Sequence, residues 1–281
     1  MLQRGSIASL ALAATLGLTS VAAQAFDEAK YPDFAGQWRR PPGVGIQWDP
    51  TKRLGRAQQP PLTPEYQAVF EASLKDQAAG GQGNDPTYKC IPAGMPRIMT
   101  TVFPMEFVIT PKTTYILSDY ATPRRIYTDG RDWPKDLDSQ PTFLGYSIGR
   151  WLDEDGDGRY DVLEVETRGM KGPRSYEASG IPLHEDNQTI VKERFTLDKA
   201  DRDTLVDEIT TIDHALTRPW TVTKKFRREH NPIWYQNDCA EDNHHVTVGN
   251  ENYFLSADGY LMPAKKDQRP PDLKYFKQSR K

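Results

Sequence analysis

Thr189-Ile-Val-Lys-Glu-Arg-Phe-Thr-Leu197 and Leu205-Val-Asp-Glu-Ile-Thr-Thr-Ile212 decide the fold. Both stretches are rich in β-branched residues, and a polar turn joins them, so they read as neighbouring strands of a hairpin. The same period of two runs outward from them. Candidate strands occupy 98–103, 105–110, 113–120, 124–129, 146–152, 162–168, 188–197, 203–213, 219–228, 244–248 and 252–256, with turn residues between. No helical run long enough for a βαβ crossover interrupts the series. The pattern therefore predicts a mainly β, antiparallel domain rather than a parallel α/β fold. About ten consecutive strands must close or double up to hide their edges, which predicts a β-barrel or a sandwich.

Upstream, Asp33-Phe-Ala-Gly-Gln-Trp38 reads as a first short strand and the Pro- and Gly-rich residues 41–62 as a surface loop. One N-terminal helix follows, packed on the sheet or capping an open end. Thr63 is its N-cap, Pro64 stands at the first helical position and Glu65 favours the positive end of the dipole. Tyr66, Val69, Phe70 and Leu74 fall on one helical face, and Gly80-Gly81 stops the run. Residues 82–97 form an irregular loop holding Cys90. Residues 26–281 thus read as one β-rich domain, with a loop and helix segment at 26–97 and a loosely packed tail at 263–281.

The first 25 residues have the form of a secretory leader: Arg4, an apolar or small run from Ile7 to Thr19, and an Ala23-Gln24-Ala25 cleavage site. The run is too short to span a bilayer as a stable helix. Export to the periplasm or beyond is expected, with a chain beginning at Phe26. The formal charge of −3 is mild and predicts neither nucleic-acid binding nor a strongly acidic partner. In an exported chain, the two cysteines Cys90 and Cys239 are most simply a disulfide, the alternative being two buried thiols.

Residues 153–164 read Asp-Glu-Asp-Gly-Asp-Gly-Arg-Tyr-Asp-Val-Leu-Glu. This is the twelve-residue calcium loop. Asp153, Asp155 and Asp157 stand at positions 1, 3 and 5, and Gly158 supplies the turn at 6. The Arg159 carbonyl falls at 7, Asp161 at 9 and Glu164 at 12. Four aspartates so close repel one another unless a hard cation neutralises them, so a structural Ca2+ is expected. The flanking residues read as strands, which makes the reach of Glu164 the weakest point of the ligand set.

Three stretches carry a resemblance: Cys90-Ile-Pro-Ala-Gly-Met-Pro-Arg97, Arg124-Arg-Ile-Tyr-Thr-Asp-Gly-Arg131 and Gly145-Tyr-Ser-Ile-Gly-Arg-Trp151. Together with Leu163-Glu-Val-Glu-Thr167, Pro182-Leu-His184, Glu193-Arg194 and Thr217-Arg-Pro-Trp220, they resemble the signature blocks of a large group of exported, uncharacterised bacterial β-rich proteins. In that pattern the tryptophan is followed almost at once by Gly-Asp-Thr-Leu; here an Asp-rich insertion lengthens the turn. The resemblance implies an exported β-rich architecture and brings no catalytic residues with it.

Other residues offer chemistry. Arg125, Tyr127 and Asp129 share one face of a strand by period two; lining a barrel mouth, they would hold the polar end of a small, partly apolar ligand. His214 joins them as a candidate ligand contact. It follows Asp213, but adjacent strand residues point to opposite faces, so Asp213 is not expected to orient it. His184 is a candidate general base with Glu193 or Asp129 as acid, for a hydrolase or isomerase. Glu193 reads either as an inward carboxylate or as part of a solvent-facing pattern with Lys192 and Arg194. No Walker A loop, Rossmann fingerprint, HExxH or CxxCH motif is present. The expected function is a calcium-stabilised binding barrel. The enzyme is the alternative, and a pocketless surface-interaction protein the third reading.

Overall fold

The computed structural model describes residues 26–41, 58–100, 103–235, 237–239, 244–249 and 251–271. The leader at 1–25, most of the 41–62 loop and the end of the tail lie outside these. Nine strands close into a barrel: β1 (Gln37–Arg39), β2 (Met105–Ile109), β3 (Thr113–Ser118), β4 (Arg124–Tyr127), β5 (Tyr146–Leu152), β6 (Val162–Arg168), β7 (Ile190–Leu197), β8 (Thr204–Ile212) and β9 (Trp220–Glu229). The barrel resolves the choice between barrel and sandwich. Every neighbouring pair is antiparallel except β4 and β5, which run parallel with Ile126 opposite Ser147.

The hairpin of β7 and β8 pairs Ile190 with Ile212 through Leu197 with Leu205. Its turn is held by Asp198, which accepts from Ala200 N, and by Asp201, which accepts from Asp203 N. Val191, Glu193, Phe195 and Leu197 point inward, while Lys192 and Arg194 face outward. Phe107, Ile116, Ile126, Leu163, Leu205, Ile209 and Val222 complete the apolar filling of the barrel, so the interior is a packed core and not a ligand chamber.

Closure falls to β1, which pairs with β2 on one side and β9 on the other. Trp38 is fully buried, its indole N–H donating to the Phe34 carbonyl at 2.9 Å. The Arg228 guanidinium lies 4.4 Å from the centre of the Trp38 ring and donates to the Asp33 carbonyl.

The helix α1 (Pro64–Ala78) forms as the capping signals predict, with the Thr63 hydroxyl accepting from Tyr66 N. Its buried face differs from the apolar stripe: Phe70 and Ser73 are buried, whereas Val69 and Leu74 are about 40% exposed. Docking combines Phe70, which joins the apolar core, with polar contacts. Ser73 Oγ donates to the Ser179 carbonyl at 3.0 Å and Gln77 donates to the Ala178 carbonyl at 2.9 Å. Gly180, at φ +82°, lets the backbone come this close; a Cβ there would collide with Ser73 Oγ.

Two further expectations are corrected. The strand expected at 98–103 does not begin there, because Arg97–Thr100 form a 3-10 turn after Pro96, with Ile98 N bonded to the Gly94 carbonyl; residues 101 and 102 lie outside the described residues. The last strands do not join the barrel. β10 (His245–Val248), β11 (Glu251–Leu255) and β12 (Leu261–Pro263) form a separate three-stranded sheet. Beyond it the tail docks on the end of α1: Ala264 is buried, Lys265 pairs with Asp76 at 2.6 Å and Lys266 N donates to the Ala79 carbonyl.

Cys90 and Cys239 form a disulfide, with Cα atoms 5.6 Å apart. It ties the loop after α1 to the segment after β9. Reducing it, or replacing both cysteines by Ser, is expected to cost on the order of 3–5 kcal/mol because the closed loop is long. Chemical denaturation of oxidised and reduced protein measures the difference; equal midpoints would refute the bridge as a stabilising link.

Candidate ligand cleft, buried ion pair and metal-binding clusters

β4 and β5 run in the same direction, so the chain must return the length of the barrel between them. Residues 128–145 make that return along the outside and wall two clefts. The smaller, of about 370 Å3, lies among Pro92 and Ala93, the β3–β4 turn at Ala121–Pro123, β4, and Phe143 to Tyr146. Arg125 and Tyr127 line it. The Tyr127 and Tyr146 rings stack with centroids 4.8 Å apart, and Arg131 covers Tyr127 at 3.9 Å. The cleft thus combines apolar walls with one exposed guanidinium, that of Arg125.

Asp129 stands outside this cleft, both of its oxygens held by Arg131 at 2.9 and 2.7 Å. Those hydrogen bonds keep its carboxyl at about 2, against the small opposing effect of burial. It is therefore neither a general acid near neutral pH nor a free ligand contact. Arg125, Tyr127 and Asp129 do share a face, but the outer one. The inward residues of β4 are Arg124 and Ile126.

Arg124 was missed by sequence reasoning, and it anchors the barrel interior. Its side chain is 1% exposed and forms a bidentate pair with the fully buried Glu193, Nη1 to Oε1 at 2.9 Å and Nη2 to Oε2 at 2.5 Å. Nη2 also donates to Thr167 Oγ1 at 3.0 Å, and Thr167 and Ser147 share a hydrogen bond. The signal was present in part. Glu193 alternates with Val191, Phe195 and Leu197, and a buried carboxylate requires a cation. Period two could not say which of Arg124 and Arg125 supplies it.

Asp207 on β8 sits opposite Lys224 in register and faces the same interior. Neither of its oxygens has a hydrogen-bond partner among the described residues. Burial, aided by the Glu193 charge and opposed by Arg124 and Lys224, raises its pKa well above the usual carboxylate range.

The larger cleft, of about 640 Å3, covers the outer faces of β5 to β8 beside Arg131 and Trp133. Its floor is an ionic ladder: Arg150 and Arg194 both bind Glu164, while Arg168 and Lys192 bind Glu166. Glu164 therefore has its two oxygens committed to two arginines, one of which, Arg194, also binds Glu154 of the acidic loop. It is removed from the expected calcium ligands.

The rest of that loop is arranged as expected, a strand-loop-strand between Leu152 and Val162. Asp153 Oδ1 accepts from Gly156 N and Asp157 N, and its Oδ2 from Gly158 N. Carboxylate oxygens of Asp153, Asp155 and Asp157 lie within 4.8 Å of one another. This all-oxygen donor set suits a hard cation. Asp161 accepts from Glu154 N and closes the loop. The N-terminal segment seats against it: Tyr160 N donates to the Lys30 carbonyl, and the Tyr31 ring contacts both Trp151 and Tyr160.

His184 and Glu193 belong to different clusters. Glu193 lies in the barrel core, whereas His184 precedes β7 and sits with Asp186, His214 and the Tyr66 ring. Asp213 is occupied with His184 N, Ala215 N and the Thr189 hydroxyl. His214 is oriented by Asp186 and not by its neighbour Asp213.

Removing one partner of the buried pair, as in Arg124→Met or Glu193→Gln, is expected to cost about 3–5 kcal/mol, and the double Arg124→Met/Glu193→Met to recover much of it. Urea unfolding of all three measures the coupling; additive losses would refute it. For Asp207 the native pKa exceeds the unfolded one, so the folded state holds the extra proton between them. Stability then falls as pH rises through that interval from about pH 4. Asp207→Asn is expected to gain on wild type as pH rises across it, in thermal melts from pH 4 to 8. A pH-independent difference would contradict the raised pKa.

Compared with family models, with curated proteins and with solved structures, the chain finds no match in any of the three.

Proposed function

We propose that this chain is an exported, calcium-stabilised barrel that binds a small, partly apolar molecule in the cleft beside β4. The carrying observation is the cleft itself: proline, alanine and aromatic walls, one exposed guanidinium at Arg125, and the Tyr127–Tyr146 stack at its edge. A guanidinium at the rim of an apolar depression fixes a carboxylate or similar acceptor group of a ligand. The three stretches with the strongest resemblance to the exported bacterial group all contribute: Pro92 and Ala93, Arg125 and Tyr127, Gly145 and Tyr146. Because the interior is packed, the proposed seat is the outer wall and not the barrel mouth.

Export rests on the leader and is consistent with the disulfide. Calcium rests on Asp153, Asp155, Asp157, Asp161 and the Arg159 carbonyl, without Glu164. The missing bidentate ligand places the affinity at the weak, extracellular end of the range, roughly 10⁻⁴–10⁻³ M. No observation favours the hydrolase or isomerase, because Glu193 is spent on Arg124 and lies apart from His184.

Native mass spectrometry of protein purified from its own host tests the binding reading. A retained small molecule that is lost in Arg125→Ala and emerges unchanged after incubation is expected. Turnover of that molecule would replace this reading with an enzyme. For the metal, the thermal midpoint should rise in millimolar Ca2+ over EDTA for wild type and not for Asp155→Ala. An identical midpoint in all four samples would remove the ion.

A further inference from the structure

We propose a second metal site, of opposite chemical preference, at His184, Asp186 and His214: a two-imidazole, one-carboxylate centre for a divalent transition ion of the Zn2+ class. The site is independent of the cleft and of the acidic loop.

Two turns build it. His184 and Asp186 lie in the turn entering β7, and His214 in the turn between β8 and β9. β7 and β8 are hydrogen-bonded neighbours with Ile190 opposite Ile212, so their flanking turns emerge side by side. Asp213 fixes the relative position of the turns, accepting from His184 N at 2.9 Å and Ala215 N at 2.8 Å. The three side chains are thus presented by a braced framework, not by a mobile loop.

The ligand atoms converge. One ligand atom from each residue lies within 4.8 Å of the others. The two oxygens of Asp186 face two different imidazoles, Oδ1 at 3.2 Å from His184 Nδ1 and Oδ2 at 2.5 Å from His214 Nδ1. A tetrahedral ion with bonds of about 2.1 Å separates its ligand atoms by roughly 3.4 Å. The His184 spacing already matches. The His214 side chain is 68% exposed and can swing outward by the small distance required.

His184 Nδ1 accepts from Asp186 N at 3.1 Å, a hydrogen bond that an ion at this nitrogen replaces.

Donor type sets the metal class. Imidazole nitrogen suits Zn2+, Cu2+ and Ni2+, whereas an all-oxygen set suits Ca2+. Three protein ligands at a half-exposed surface leave a fourth position for water or for a donor atom of a bound molecule. Bound metal would also staple the β7 entry to the β8–β9 turn, where Thr63 N at the start of α1 docks on the Ala215 carbonyl.

The test uses the full chain, stripped with EDTA and dialysed, in millimolar Ca2+. Zn2+ is titrated by calorimetry and Co2+ by visible absorption. One equivalent of Zn2+ is expected, and a Co2+ spectrum with nitrogen-ligand bands. Affinity should fall at least tenfold in His214→Ala and in Asp186→Asn, and remain unchanged in Asp155→Ala. His214→Ala removes an exposed ring, so an unaltered metal-free melting curve establishes that it is folded. Absence of stoichiometric uptake, uptake equal in wild type and His214→Ala, or loss of Zn2+ to the added Ca2+ would each overturn the site.

Discussion

A closed ring of strands with an odd count cannot alternate direction all the way round. Nine strands require at least one parallel neighbour, and in this barrel the requirement falls between β4 and β5. Antiparallel neighbours need only a tight turn, but parallel ones need a return path. Residues 128–145 are that path, made without a helix crossover. The loop is the price of closure, and it contributes Arg131 and Trp133 to one cleft and Phe143 and Leu144 to the other. The concave surfaces thus follow from strand parity, while the barrel interior is left to packing.

Within that interior, polar and apolar residues share the space. An apolar barrel would have been simpler to stabilise, since a buried ion pair gains little over well-packed hydrophobic residues. Arg124 is tolerated because each of its three guanidinium nitrogens meets an oxygen, from Glu193, Thr167 or Ser147. Asp207 lacks such satisfaction, and its burial raises its pKa well above the usual carboxylate range. The two carboxylates, on adjacent strands, therefore settle the same desolvation problem in opposite ways.

Much of the barrel was legible in sequence because alternation is a local signal. The hairpin of β7 and β8, the capped helix and the strand-loop-strand form of the acidic loop all rest on residues close together in the chain. What failed was relational. Period two placed Arg125 and Tyr127 on one face without saying that it was the outer one, because that depends on Glu193 arriving from β7. Loop spacing named Glu164 as a ligand, but Arg150 and Arg194 on flanking strands occupy its oxygens. The helix stripe held for Phe70 but not for Val69 and Leu74, because the rest of the α1 interface is made by the Ser73 hydroxyl and the Gln77 amide, with Gly180 yielding the space. The His184, Asp186 and His214 cluster joins two turns that only strand pairing brings together.

The seam at β1 has a consequence for the order of assembly. Gln37 pairs with Glu106 but also with Glu229, so the earliest strand in the chain completes its hydrogen bonds only when the last barrel strand exists. A chain made from its N-terminus must hold Phe34 and Trp38 unsheltered while nearly the whole barrel is synthesised. Pairings of such long range are slow to form and leave a sticky intermediate. The brevity of β1, three residues, limits how much edge that intermediate presents to other chains.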